Sequence, residues 1–398
     1  MTTPGTSIED YFSRLHALIR PVSTEQGSVH AGRVLAQTVT ARRAIPPQDN
    51  SAMDGFLTTH LDKPCTLKVV GDVPAGAAPR APEPGTAVRI MTGGAIPEGF
   101  DGLVIPVEDT DISPGPGPLP ETATVHRLPT RSHIRRRGSH IACGEEIAQS
   151  SSLIDAPLLA TLLSSGITSA ELYRVPRITV IVTGEELLNG QLPDSNGPML
   201  EAILHATGTC DVTRLCCGDV PKELREVFDS ATQGATGSDL IVTTGGVSAG
   251  AFDVVRDVLT DHGERPWFGH VDQRPGAPQG HALWNEVPVV CLPGNPVAAF
   301  VSAHLYLTPV LRTLSGLPRT LNVWDRPRLT ATAAADFPAA SHHLIQPCHL
   351  TLDGTVTAAP PPGPRMRSHH VGALLGTSAF ALITKPLNAG DTLTVYPY

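Results

Sequence analysis

Short apolar runs alternate with helix-spaced stretches through the middle of the chain. The runs 178–182, 212–215, 240–242 and 289–292 are rich in β-branched residues and too short for helices, so they predict buried strands. Between them Leu224, Val227, Phe228 and Ala231 recur at helical spacing, with Asp219 or the turn after it expected at that helix's amino end. Val254, Val255, Val258 and Leu259 repeat the pattern after Gly250. Strands alternating with helices imply a parallel sheet with right-handed crossovers, whose ligands bind beyond the carboxyl ends of the strands. Each run leads into a glycine- or acid-rich turn: 183–186, 218–219, 244–250 and 292–296. A binding site along one edge of the sheet is therefore expected.

The flanks read differently. Tyr11, Leu15, Leu18 and Ile19 predict an amphipathic helix within 8–35, and 151–163 predicts another before Pro176, the two expected to pack together. Residues 46–140 are rich in Pro, Gly, Val and Thr and include the Pro-Gly run 114–118, which predicts an inserted β-rich domain carried on the helical segments. After an apolar helix over 297–314 and the break at Gly316-Leu317-Pro318, the pattern alternates over 329–333, 350–358 and 393–396. With Asp353-Gly354 as a hairpin turn, this predicts a small antiparallel barrel or sandwich. The fold class is thus multidomain α/β: a helical region at 1–45 and 141–175, an inserted β domain at 46–140, a parallel-sheet α/β domain at 176–317, and a carboxyl-terminal β-barrel-like domain at 318–398.

A chain of 398 residues is too long for one ordinary core, in keeping with several domains. Its 29 basic and 38 acidic side chains give a net charge of −9, which offers no long-range attraction for nucleic acid or an anionic membrane. Neither is expected as a partner, and an anionic ligand has to be met by local basic groups. Seven cysteines, odd in number and without a Cys-x-x-Cys pair, argue against a disulfide framework or structural zinc and fit reduced thiols in a cytoplasmic protein. No apolar stretch is expected to span a membrane, and the amino terminus lacks a basic-then-apolar export pattern.

Chemistry concentrates in the turns. Gly245 and Gly246, with Ser248 and Gly250, let backbone N–H groups approach an anion at the start of a helix, although a Gly-Gly pair alone also makes a plain tight turn. Glu185, Glu186, Asp219 and Asp253 place carboxylates on the same edge, where they would repel a phosphate. The conflict resolves if a hard divalent cation, magnesium with retained waters, sits between carboxylates and phosphate oxygens. Phosphate-ester or phosphoanhydride chemistry is then the expectation. Asp54 within 46–55 and Thr92 within 89–97 sit in turn-forming segments that alone read as ordinary loops. Arg365, Ser368, His369 and Arg367 gather donors suited to an oxyanion, or form a solvated basic loop; the Arg135-Arg136-Arg137 triplet shares that ambiguity. The adjacent histidines 342/343 and 369/370 would point oppositely on a strand and are not read as metal sites.

Taken in order, 50–56 (NSAMDGF), 89–97 (RIMTGGAIP), 182–187 (VTGEEL), 244–250 (TGGVSAG) with Asp253, and 292–297 (LPGNPV) resemble the MoeA family of molybdopterin molybdenumtransferases, related to the carboxyl-terminal domain of gephyrin. The likeness spans nearly the whole chain. It implies an L-shaped homodimer of four-domain subunits, with the site in a cleft between the inserted domain of one subunit and the α/β and carboxyl-terminal domains of the other. It further implies that adenylylated molybdopterin is bound, its pyrophosphate link cleaved with release of AMP, and molybdate joined to the dithiolene sulfurs. By the resemblance, catalytic roles fall on Asp54, Thr92, Glu186, Asp219 and Asp253, the last three also holding magnesium. Substrate binding falls on Thr183, Gly184, Gly245, Gly246, Ser248, Gly250, Arg274, Pro293, Gly294, Asn295 and Pro296, with Arg365 and Ser368 on molybdate. Transient contacts with a molybdopterin adenylyltransferase and with molybdoenzymes follow from the same likeness. The chain departs from the family at His140, where an Asp is frequent, at His270 in an upstream lysine position, and at Ala277 in a Pro-Gly-Lys-Pro motif. Those departures leave open a second function, a paralogue that carries or scaffolds molybdopterin without transferring metal.

Overall fold

The computed structural model describes residues 5–234, 237–247, 253–337, 343–353, 355–361, 367 and 369–398. At its centre is a six-stranded sheet in the order Asp211–Cys217, Arg177–Thr183, Leu240–Thr244, Val287–Leu292, Pro278–Trp284, Glu264–His270. The first four strands run parallel, and the last two pairings are antiparallel. The two reversals cancel. His270, at the end of the edge strand, and Pro278, at the start of its neighbour, therefore return to the same edge as Thr183, Thr244 and Leu292. These last two strands escape the apolar-run reading because Glu264–His270 is mostly exposed and interrupted by Gly269. A Cβ on Gly280 in the neighbouring strand would sit 2.4 Å from the Phe268 ring, so the missing side chain there is what lets the pair approach.

Both faces of Arg177–Thr183, Leu240–Thr244 and Val287–Leu292 are buried, as alternate side chains show, whereas Asp211–Cys217, expected to be buried, forms the sheet edge and is mostly exposed. Ile178, Val180 and Val182 join one core with the helix Asn196–Thr207 and the long helical stretch from Pro296 to Leu314, while Ile181, Ile241, Val289 and Cys291 join another with the helices Pro221–Thr232 and Val254–His262. The stretch Pro296–Leu314 is 19 residues and apolar enough by composition to cross a membrane, contrary to the sequence expectation, but 78% of it is buried inside the protein. It widens to a π turn at Ala303–Leu307. The carbonyls there find a partner in Arg326, whose guanidinium donates to His304 O at 2.9 Å and Leu305 O at 3.2 Å.

The amino-terminal helix is shorter than expected. It spans Ile8–Leu18, capped by Ser7, whose Oγ accepts from Asp10 N at 3.0 Å, and it ends before Pro21. Thr24–Ser28 is then a strand, paired with Ser169–Tyr173. The expected packing of this helix on the second one is not found. Ile8, Tyr11, Phe12 and Leu15 bury themselves in the core of the α/β sheet, whereas Ala156–Ser164 joins a separate cluster around Leu35, Ile154, Leu162 and Leu172.

Two further sheets complete the molecule. Within the inserted segment, five strands run in the order Leu103–Pro106, Gly55–Thr58, Thr86–Ile90, Thr66–Val73, Thr122–Thr124. Near the carboxyl end, His343–Leu352 pairs with both Val356–Ala359 and Ala379–Ile383, which closes a five-stranded barrel through Leu329–Ala333 and Thr392–Pro397. It is not wholly antiparallel, because Leu329–Ala333 and Val356–Ala359 run in the same direction. Of the predicted hairpin turn, Gly354 lies outside the described residues.

Candidate active site

The turns at the carboxyl edge of the central sheet open into one cavity of about 1960 Å³. Thr183, Gly184, Glu186 and Asp219 line it from the first two turns, and Gly245, Gly246 and Asp253 from the third. Pro293, Gly294, Asn295 and Pro296 line it from the fourth. Arg274 reaches it from the far end of the sheet together with His270, and the carboxyl-terminal barrel contributes Gln346, Arg367 and His369. Ser248, Gly250, Arg365 and Ser368 lie outside the described residues.

Local chemistry fixes the geometry of each turn. Asp219 does not cap the following helix, which starts at Pro221 after Val220 with no side-chain cap. Instead its carboxylate accepts from Glu185 N at 3.3 Å, and Asp219 N donates to Glu185 Oε1 at 3.2 Å. The reciprocal pair ties two adjacent acidic turns together. Gly184 has φ +149°, and a Cβ there would lie 2.9 Å from the Glu186 carboxylate, so glycine is what lets that carboxylate fold back over the turn. Gly245 and Gly246 have φ of +98° and +63°.

A residue that sequence reading passed over connects the third and fourth turns. Asn196, buried at the start of its helix, donates through Nδ2 to Thr244 Oγ1 at 3.0 Å and to Gly294 O at 2.7 Å, while Thr244 Oγ1 donates to Pro293 O at 3.1 Å. An asparagine at a helix start reads as a cap, and nothing in its spacing signals a bridge between loops 48 and 98 residues further on.

The cavity carries both signs of charge. Glu186, Asp219 and Asp253 belong to turns at one side of the sheet and His270, Asp272 and Arg274 to the other, with Arg367 and His369 contributed from near the carboxyl end. Asp253 and Thr183 are buried, Glu186 and Asp219 exposed. Among the described residues no three His, Cys, Asp or Glu side chains group closely enough to chelate an ion by themselves. The arrangement can meet a ligand carrying anionic groups.

Asp54 and Thr92 do not line this cavity. They meet each other in the inserted segment, where Asp54 Oδ1 accepts from Thr92 N at 2.5 Å, both residues being exposed. The nearby basic triplet is engaged locally: Asp49, itself buried, accepts from the Arg136 guanidinium and from Arg137 N, each at 2.7 Å. Burial alone would raise the Asp49 pKa, but those hydrogen bonds outweigh it and hold the carboxyl below its usual range. His343 Nδ1 lies 3.4 Å from an Asp272 carboxylate oxygen.

Two family descriptions match the sequence: the MoeA N-terminal region (domain I and II) over residues 6–166 and the probable molybdopterin binding domain MoCF_biosynth over residues 179–313. Molybdopterin molybdenumtransferase 2 of Mycobacterium tuberculosis is 34% identical over 394 residues, 92% of each chain being covered. Molybdopterin molybdenumtransferase of Nostoc is 29% identical, covering 80% of this chain and 76% of that one. Among solved structures, the molybdopterin biosynthesis moeA protein of Pyrococcus horikoshii superimposes with a TM-score of 0.76 at 20% identity, covering 99% of this chain and all of that one, which speaks to the fold. With a relative 34% identical over 92% of each chain, the chain belongs to the MoeA family of molybdopterin molybdenumtransferases.

Proposed function

We propose that this chain binds adenylylated molybdopterin and molybdate, cleaves the pyrophosphate link with release of AMP, and delivers the metal oxyanion to the dithiolene sulfurs. One observation carries the reading: four turns converge on a single cavity lined by both carboxylates and cationic groups. The names of the M. tuberculosis and Nostoc relatives support the same activity.

The donor set fits magnesium of the kind that keeps waters and takes substrate phosphate oxygens, since that ion needs only one or two carboxylates and not a closed protein cage. Glu186, Asp219 and Asp253 would hold it, and it would supply neutralising charge where the phosphoanhydride breaks. The Gly245-Gly246 turn, with Thr183 and Gly184, leaves room for phosphate oxygens to approach the backbone closely, the N–H groups of Gly245 and Gly184 themselves being donated to Leu292 O and Cys217 O. Pro293, Gly294, Asn295 and Pro296 shape the wall beside them, fixed through Asn196. Arg274 and Arg367 orient the incoming molybdate by charge, alongside Arg365 and Ser368. Asp54 and Thr92 act in trans: held together by their own hydrogen bond on the inserted domain, they complete the cavity of a second copy in a homodimer. A cytoplasmic protein of this kind would meet a molybdopterin adenylyltransferase upstream and molybdoenzymes downstream.

The test is AMP release from adenylylated molybdopterin, with and without molybdate and magnesium. Release that depends on both is expected. Tight binding with no release under any combination would replace the transferase by a carrier.

A further inference from the structure

The parallel strands Arg177–Thr183 and Asp211–Cys217 stay paired to their ends, and Gly184 N extends the ladder by donating to Cys217 O at 3.0 Å. In a regular parallel ladder the next bond would run from Asp219 N to Gly184 O. That carbonyl is committed elsewhere. With Gly184 at φ +149°, it serves the start of the short helix Glu185–Leu188, accepting from Leu187 N at 3.1 Å. The Glu185 side chain stands in for it: Oε1 accepts from Asp219 N at 3.2 Å, and Glu185 N returns a bond to Asp219 Oδ2 at 3.3 Å. Two strand ends are thus clasped through a carboxylate where the backbone ladder stops.

Space for this contact comes from Gly218. A Cβ there would stand 2.3 Å from Glu185 Oε1 and 3.1 Å from Leu188 Cδ1, so a larger residue would push the carboxylate off Asp219 N. Gly184, Glu186 and Asp219 line the cavity, and Glu185 does not. Among the described residues nothing donates to Asp219 Oδ1, so the clasp engages one carboxylate oxygen and leaves the other for a ligand. The adjacent acids 185 and 186 therefore do different work: Glu186 faces the ligand, and Glu185 faces the protein.

We propose that Glu185 is a positioning residue for the cation: it fixes the turn 218–219 so that Asp219 presents Oδ1 to the ion, and it does not touch the ion itself. The proposal rests on the transferase reading for the cation, and on the two reciprocal hydrogen bonds for the clasp. Turns that each hold a main-chain N–H against the other's carboxylate keep a fixed separation. A small ion that demands near-ideal geometry and retains its waters gains affinity from a donor already in place.

The probe is manganese(II), suited to the same oxygen donors as magnesium and read by loss of the free-ion paramagnetic resonance signal on titration of the full-length protein. Glu185→Ala removes the acceptor and should weaken manganese binding about three- to tenfold, the effect of one hydrogen bond. Glu185→Gln keeps an oxygen acceptor and should bind within about twofold of the parent. In AMP release the alanine variant should raise the magnesium concentration for half-maximal rate by the same factor, with the rate at saturating magnesium within about twofold of parental. Parental manganese affinity in Glu185→Ala would overturn the proposal. Equal weakening in the alanine and glutamine variants would also overturn it, by assigning the effect to charge. The clasp has its own readout in the exchange of the Asp219 amide with solvent deuterium, followed in ¹⁵N-aspartate-labelled protein and assigned by its absence from the Asp219→Asn spectrum. Exchange should quicken about three- to tenfold in Glu185→Ala and not in Glu185→Gln. Quickened exchange with parental manganese binding by Asp219→Asn would overturn the cation reading, and Glu185's part in it, while the clasp stands. Loss of manganese in Asp219→Asn with parental binding in Glu185→Ala would keep the cation reading and overturn the positioning role.

Discussion

The floor and the rim of the cavity are built from opposite materials. Beneath it Tyr11 and Tyr306 are fully buried, their rings 4.8 Å apart edge to face, with Trp267 and His281 stacked at 5.7 Å alongside. On the rim Glu186, Asp219, Arg274 and Arg367 are exposed and charged. Close packing makes the floor a single arrangement that resists change, while the rim side chains are solvated and contribute little to folding. Substitutions should therefore separate into two kinds, those that alter stability and those that alter chemistry. Asn196 stands between the two, a buried group that shapes a rim loop.

The sharpest break would come from Asp219→Asn, which keeps the hydrogen-bonding shape and removes the charge. AMP release in magnesium should fall by about 10²–10³-fold with an unchanged melting temperature; a parental rate would remove Asp219 from the cation site. Next in size is recovery by mixing. Asp54→Asn and Asp219→Asn proteins, each inactive alone and co-expressed with different tags, should together regain roughly a quarter of the parental rate, because half the dimers carry one intact site. No recovery would mean that Asp54 and Asp219 serve the same protomer's site, and full activity of Asp54→Asn alone would mean that Asp54 serves none.

The floor should reveal itself by pH. Burial lowers the pKa of His16, His281 and His304 to about 4 from 6.5, with nearby arginines adding to the effect. Each is lower folded than unfolded, so the unfolded chain takes up protons first as pH falls below about 6.5. Stability contributed by the neutral imidazoles is complete above that pH and is lost toward about 4, by up to a few kcal/mol per histidine. His304→Phe, which keeps the ring contacts with Phe300 and Tyr398, should flatten the melting profile in that window by about a third. An unchanged slope would put the acid sensitivity elsewhere. The smallest effect is expected at Asn196→Ala. Loss of its two hydrogen bonds should cost about 1–3 kcal/mol of stability by chemical denaturation and lower the rate less than Asp219→Asn does; a larger effect on rate would make it part of the chemistry.

How much of this the sequence discloses depends on the kind of signal. Three of the parallel strands are legible because each is a continuous apolar, β-branched run buried on both faces, while the edge strand Asp211–Cys217 is mostly exposed; the turns have to share an edge once the strands are parallel. The antiparallel pair that carries His270 and Arg274 back to that edge was not, since glycine and charge break its pattern and its stability comes from ring packing across strands. The helix at Ile8–Leu18 announced itself by periodicity, yet its partner could not be chosen from sequence, because an apolar stripe fits any complementary core. The fixing of the loop 274–278 leaves no trace beyond a Pro-Gly turn. Gln273 and Gln279 donate to Pro275 O and Gly276 O, hydrogen bonds that no periodicity encodes.

Chain entry to and exit from the inserted β domain lie side by side: Val39–Thr40 pairs with Glu146–Ala148, Ile45 N donates to Ile141 O at 2.8 Å, and His140 N donates to Ile45 O at 3.0 Å. The arm bearing Asp54 and Thr92 is thus, for the rest of the molecule, one long loop whose two ends are already clasped. Such a clasp makes the arm a replaceable module, since a shorter or foreign segment could bridge the same gap without rethreading the α/β sheet or the barrel.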